Sequence, residues 1–161
     1  MNPGGRSILV VDDEKEMCWV LEHVLRRSGY ACATALSGQE ANALIGRWSF
    51  CMAFLDAKLP DIDGLELARQ LREFDPGLPI IIISGYFYQD DMTIQEAMKS
   101  RLITAFFSKP FDHNEILRAI EIHSRRQAGS SRPESGKQFH SVDSINQPAK
   151  HPGFPCPKSE V

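Results

Sequence analysis

Four consecutive isoleucines stand between a proline and a serine in Pro79-Ile80-Ile81-Ile82-Ile83-Ser84. β-Branched side chains favour extended backbone, and a run with no polar alternation suits a strand buried on both faces. Such strands belong to parallel sheets, whose successive strands are joined by helical crossovers. The sequence on either side of this run follows that pattern.

Towards the N-terminus, Ser7-Ile-Leu-Val-Val11 reads as a first strand, followed by three acids. Met17, Val20, Leu21, Val24 and Leu25 then recur at helical spacing, with Asp13 and Glu16 as a capping box and Gly29 as a stop. Tyr30 to Ala35 is the second strand. Ser37 and Glu40 cap a short helix ending near Gly46. Phe50 to Leu55 is the third strand and runs into Asp56. Gly64 to Phe74 forms a helix with Leu67, Leu71 and Phe74 on one face, ended by Pro76-Gly77. Beyond the isoleucines, Asp91 to Lys99 is a helix and Ile103 to Phe107 a fifth strand. Asp112 and Glu115 cap a last helix, whose Ile116, Leu117 and Ile120 face inward and which frays near Arg126. Five β-α units predict a three-layer α/β domain, a doubly wound parallel sheet of five strands.

The chain has 161 residues, 42% hydrophobic, with net charge -3. Residues 6–127 are expected to fold as one domain, and 1–5 to be disordered. From 128 to 161 the chain is rich in Ser, Pro and Gly and too poor in aliphatic residues to offset its ordering entropy, so a disordered tail is expected. The mild charge does not point to nucleic acid, and no apolar run is long enough to span a membrane. No signal peptide is evident. Cys18, Cys32 and Cys51 lie in apolar segments and Cys156 in the tail, with no C-x-x-C pair. Reduced, buried thiols in a cytoplasmic protein are the expectation.

The polar residues gather at strand ends. Asp12 and Asp13 follow the first strand, Asp56 the third, Ser84 the fourth, and Lys109 with Pro110 the fifth. In open parallel sheets ligands bind beyond the carboxyl ends of the strands. With strands one and three as neighbours, the carboxylates converge, and three anions together call for a raised pKa or a bound cation. Oxygen-only ligands select a hard ion, and Mg²⁺, which keeps several waters, suits an open site that admits phosphate. Lys109 completes a clamp for a transferring phosphoryl group, with Asp56 as nucleophile.

The strings Ile8-Leu-Val-Val-Asp12-Asp13-Glu14, Phe54-Leu-Asp56-Ala-Lys-Leu-Pro60-Asp-Ile-Asp-Gly64, Ile83-Ser84-Gly85 and Phe107-Ser-Lys109-Pro110-Phe111 resemble the receiver domains of bacterial response regulators in two-component signalling. The resemblance covers about residues 6–127. It implies a CheY-like, flavodoxin-like strand order 2-1-3-4-5 and these roles. Asp12 and Asp13 hold Mg²⁺ with Asp56, the phosphoacceptor, and the backbone carbonyl of Lys58. Ser84 and Lys109 bond the phosphoryl oxygens, and the bond before Pro110 is cis. Phe106 takes the aromatic switch position, and Pro60 and Gly64 shape the loop after the acceptor. The donor is a sensor histidine kinase or a histidine phosphotransfer protein. Phosphorylation reshapes the face of helix four, strand five and helix five, which signals to an unidentified partner protein or supports a dimer. The protein is then a switch rather than an enzyme.

This chain also departs from the family's pattern. Lys58, two residues after the acceptor, could screen the phosphoryl oxygens or obstruct water. The segment from Ser84 to Lys109 is longer than usual, with aromatics at Tyr86-Phe87-Tyr88, and Arg101-Leu102 replaces a pair of small residues. Phe106 stands where tyrosine is commoner.

Other readings are weaker. Asp61-Ile-Asp63-Gly64 hints at a Ca²⁺ loop, but Leu59 and Gln70 fail its ligand positions. His23, His113 and His123 share no metal spacing, and His140, His151 and Cys156 are too loosely spaced for zinc. Arg125-Arg126 is read as complementing a helix C-terminus, and Trp19 and Trp48 as packing residues. Residues 127–161 show no helix-turn-helix periodicity, so no output domain is expected there. The rival functions are a pseudo-receiver that only binds partners, and a phosphatase with an aspartate nucleophile. The latter wants a second aspartate where Lys58 stands.

Overall fold

The chain forms β1 (Ser7–Val11), α1 (Lys15–Arg27), β2 (Ala31–Ala35), α2 (Gly38–Ile45), β3 (Met52–Asp56), α3 (Gly64–Phe74), β4 (Ile80–Ser84), α4 (Met92–Lys99), β5 (Ala105–Ser108) and α5 (His113–Ser130). The computed structural model describes residues 6–86 and 91–130, and side chains up to residue 123. The expected disorder of 1–5, the tail's 131–161, and the histidines and cysteine within it lie outside the described residues.

The strands pair in parallel in the order β2-β1-β3-β4-β5, as the resemblance implies. Every residue of β1, β3 and β4 is buried. The side chains alternate between two cores. Leu9, Val11, Ala53, Leu55, Ile80 and Ile82 pack with α2, α3 and α4. Ile8, Val10, Met52, Phe54, Ile81 and Ile83 pack with α1 and α5. The period-two alternation of strand side chains thus supplies both faces, which is why the isoleucine run carries no polar residue.

Some local expectations need correction. Phe74, the last residue of α3, is 58% exposed rather than buried with Leu67 and Leu71. Leu117 is 37% exposed, whereas Ile116 and Ile120 are buried. Adjacent helix positions point about 100° apart, so Leu117 cannot share their face. Trp19 is 60% exposed and stacks on His23 with ring centroids 5.4 Å apart, because Cys18, Leu21 and Leu25 take the buried stripe of α1. Trp48 does pack against the core. α1 lacks the Asp13–Glu16 capping box: its N-cap is Glu14, which makes no side-chain cap bond. α5 continues to Ser130, beyond the fraying expected near Arg126, so Arg125 and Arg126 are not in its last turn. Cys18 and Cys32 are buried and Cys51 half-buried, all as free thiols. Burial pushes the Cys18 thiol up to about 12 and that of Cys51 up to about 11.

The loop between β3 and α3 is closed on itself and tied outward. Leu59 N–H donates to the Ile62 carbonyl (3.3 Å) and Gly64 N–H to the Ala57 carbonyl (2.8 Å). Asp63 caps α3 by accepting from Leu65 N–H at 2.8 Å. Asp61 reaches the start of α2, accepting from the N–H groups of Gly38 and Gln39, both at 2.9 Å. These amides, Gly38 first, hold the Asp61 carboxyl below its ordinary range. The two aspartates that mimic a calcium loop are therefore helix caps. A Cβ on Gly38 would collide with the Ile62 side chain, so a larger residue at the start of α2 would require Ile62 to move. Asp61→Ala should speed hydrogen exchange at the amides of Gly38 and Gln39, while Leu65, held by Asp63, keeps its protection.

Candidate functional site

The strand register decides which polar side chains meet. β3 lies between β1 and β4, with Val11 opposite Leu55 and Asp56 opposite Ile83. Asp12 follows β1, and its N–H donates to the Ala35 carbonyl, extending the ladder by one residue. Asp12, Asp13 and Asp56 each present a carboxylate oxygen, and the three oxygens lie within 4.8 Å of one another. Asp12 and Asp56 are buried and Asp13 is exposed.

Lys109 enters from the end of β5, the edge strand beside β4. Its N–H donates to the Ser84 carbonyl (2.9 Å), one residue beyond β5, and the Lys109–Pro110 bond is cis. Its ammonium lies 3.1 Å from Asp12 Oδ2, 3.3 Å from Glu14 Oε1 and 3.6 Å from Asp56 Oδ1. One cation therefore serves three acids. Glu14 was missed as a member of the site, although it stands next in the run Asp12-Asp13-Glu14. Asp12 is oriented further by accepting from Glu14 N–H at 2.9 Å. The Cys18 thiol donates to the Asp12 backbone carbonyl at 3.3 Å, a contact that no sequence spacing announces.

Burial pushes the Asp56 carboxyl up to about 6, reinforced by the charge of Asp12 and opposed by Lys109. Burial also raises Asp12, against the Glu14 amide and Lys109. For Lys109 burial acts downward, but the attraction of Asp12 and Asp56 outweighs it and the ammonium is held above its ordinary value. The pocket is thus an anionic cluster that one lysine neutralises incompletely.

Ser84 is fully buried at the end of β4, and its hydroxyl accepts from Tyr86 N–H at 2.8 Å. Phe106 is 3% exposed and packs inward, within the core beside α3 and α4. Gly64 lies so close to the acceptor's backbone that a Cβ would collide with the Asp56 carbonyl oxygen. Lys58 is exposed, and its ammonium sits over the Tyr86 ring, 5.4 Å from the centroid, rather than over Asp56. Pro60, Lys58, Tyr86, Asp13, Asp56 and Lys109 line an open cavity of about 560 Å³ at the rim. Phe87 and Tyr88 lie outside the described residues.

A doubly wound sheet with a buried aspartate, two further acids and a lysine at its carboxyl rim is the architecture expected of a receiver domain. The chain belongs to the response regulator receiver domain family, whose model matches residues 8–121. Among curated relatives, "Sporulation initiation phosphotransferase F" of Bacillus subtilis is 32% identical over 117 residues, covering 73% of this chain and 92% of its own. "Transcriptional regulatory protein ZraR" of Salmonella typhimurium is 29% identical over 144 residues, covering 88% of this chain but only 32% of the relative's length. The chain thus spans about a third of that longer regulator. Among solved structures, a CheY-like receiver domain protein from Methanospirillum hungatei superposes with TM-score 0.72 at 26% identity, over 80% of this chain and all of that one. The response regulator TrrA of Thermotoga maritima, in complex with Mg²⁺–BeF, superposes with TM-score 0.64 at 27% identity, over 73% of this chain and 98% of its own. No helix among the described residues is long and apolar enough to cross a membrane.

Because the folded value of Asp56 lies above its unfolded value, its ionisation opposes folding. That penalty is full above pH about 6 and fades as pH falls toward the ordinary 3.8. Asp56→Asn, compared with the unsubstituted chain in EDTA at pH 7.5, should raise stability by about 1–3 kcal/mol, and the gain should vanish near pH 4. Urea denaturation at both pH values checks this.

Proposed function

We propose that this receiver accepts a phosphoryl group on Asp56 from the phosphohistidine of a sensor kinase or a histidine phosphotransfer protein. The observation that carries this reading is the placement of Lys109, 3.6 Å from Asp56 and 3.1 Å from Asp12, beside three converging carboxylates. A buried carboxylate that costs free energy when ionised is a site where neutralising its charge is favourable.

The donor set fits Mg²⁺. It consists only of oxygens, two of them on buried side chains, and it opens onto a water-accessible cavity. Asp12, Asp13 and Asp56 would hold the ion, with the backbone carbonyl of Lys58 as a further ligand. Mg²⁺ supplies charge neutralisation for the acids and for the oxygens of the incoming group. That the Thermotoga relative was solved with Mg²⁺–BeF supports the assignment.

In the transfer, a carboxylate oxygen of Asp56 attacks the phosphorus in line and the imidazole nitrogen of the donor leaves. Lys109 already stands beside the attacking carboxylate, so its ammonium meets the phosphoryl oxygens as their charge develops. The Ser84 hydroxyl, now accepting from Tyr86 N–H, can turn to donate to the same oxygens. Those new bonds favour one arrangement of the two-state face formed by α4, β5 and α5, through Phe106 beneath it. The consequence is signalling to a partner protein, not turnover of an external substrate, and the acyl phosphate is later lost to water.

Acetyl phosphate and Mg²⁺ should add one phosphoryl mass to the chain, and Asp56→Asn should abolish the increment. A chain that stays unmodified would instead be a pseudo-receiver, and sustained turnover of phosphate esters would make it a phosphatase. Lys58 and Tyr86 bracket the mouth of the cavity. Lys58→Asn should therefore speed loss of the phosphoryl group, by about threefold or more, a change equivalent to somewhat under 1 kcal/mol of barrier. Mass spectrometry after removal of the donor reads both rates, and equal rates would exclude an obstructing role for Lys58.

A further inference from the structure

A second concave surface lies between α3 and α4, with a volume of about 680 Å³. Its lining shares no residue with the cavity at Asp56. Its apolar part is Leu65, Ala97 and Leu102, the first two almost fully buried. Around it stand Arg69 and Arg72 from α3 and Lys99 and Arg101 from the end of α4, against one acid, Glu96. The whole chain carries net charge -3, so this concentration of cations runs against the bulk of the molecule.

Arg69 has Glu66 and Arg72 feels the charge of Asp75, whereas the other two cations stand without an acid among the described residues. Lys99 and Arg101 form no ion pair with an acid among the described residues. Arg69 pairs only with Glu66 on the exposed surface of the same helix, a pairing easily exchanged. Arg72 is fixed, donating from Nη1 to the carbonyls of Pro76 (2.8 Å) and Leu78 (2.6 Å) and from Nη2 to that of Leu102 (2.8 Å). Its charge is thereby held beside the groove by the backbone itself.

Arg101 adds an independent sign. It ends α4 with φ +64°, and Leu102 N–H donates to the Ala97 carbonyl beyond it (2.9 Å). Glycine or asparagine normally fills that left-handed position. A basic residue near a helix C-terminus complements the macrodipole, but it can do so from the helix itself, as Lys99 does, without unfavourable backbone.

We propose that this groove docks an acidic segment of a partner protein, one carrying Asp or Glu residues beside one or two apolar side chains. Leu102, half-buried, is the apolar residue with surface left for the latter, and the spaced cations around it take the former. A compact phosphate would want converging backbone amides. Here the amide of Leu65 is already taken by Asp63 and that of Thr93 by Asp91. Glu96 disfavours an acid at its own position in the groove.

The test uses the unphosphorylated full chain, so that its outcome is separate from phosphoryl uptake at Asp56. The probe is a synthetic twelve-residue peptide of repeating Leu-Glu-Glu, titrated into ¹⁵N-labelled protein. Binding should shift the amides of residues 65–72 and 93–102, weaken with added salt and be absent for a Leu-Lys-Lys peptide. Arg101→Gly, which removes the left-handed arginine, should keep or raise Tm while weakening binding about threefold, and Lys99→Gln combined with it should weaken binding about tenfold. Absence of binding, shifts elsewhere, equal affinity of the double variant, or displacement of the peptide by equimolar inorganic phosphate would overturn the proposal.

Discussion

Everything chemical in this molecule depends on β3 lying in parallel between β1 and β4. Parallel strands all end at the same rim, so residues that leave different strands of one sheet can be brought together there however far apart they lie in the chain. Asp12 and Lys109 are separated by 97 positions yet meet at 3.1 Å. A sheet buried on both faces has no room for charge along its strands, and the polar residues it carries are confined to their ends. The same burial that stabilises the sheet makes the rim the natural place for a site.

That placement has an electrostatic cost, which is also its usefulness. Asp12 and Asp56 are buried near each other, and both are driven towards their protonated forms. Lys109 offsets the repulsion in part, but its ammonium is shared with Glu14 as well. The pocket remains short of positive charge and open to solvent. The loop after Asp56 cannot drift to relieve the crowding, since Gly64 abuts the Asp56 carbonyl and Asp61 is bonded to the start of α2. Three acids beside one shared ammonium leave unbalanced negative charge at the rim, the condition on which the proposed metal site rests.

Hydrophobic pattern was a sound guide wherever the sheet dictated burial, and weaker wherever a helix offered alternatives. The strand runs at Ser7–Val11 and Ile80–Ser84 were legible because no half-exposed strand tolerates so many consecutive apolar residues. Phe74, Leu117 and Trp19 were misplaced because an amphipathic stripe shows its width but not which edge meets the sheet. The capping box read at Asp13–Glu16 failed for a different reason: Asp13 belongs to the acidic cluster and is not the residue that starts α1. The hint of a calcium loop at Asp61 and Asp63 was rightly set aside, and both carboxylates instead accept amides at helix starts.

The order of residue types along the chain was enough to determine five β-α units and to set a carboxylate, a hydroxyl or an ammonium after particular strands, because strand burial and turn chemistry act over a few residues. It also carried the family strings that imply a phosphoacceptor at Asp56. Only the tertiary structure decided that Lys109 divides its charge among Asp12, Glu14 and Asp56, that Lys58 turns to Tyr86, and that four cations from α3 and α4 share one groove. Those outcomes depend on strand register, helix rotation and side-chain reach between elements distant in sequence, and no local propensity encodes them.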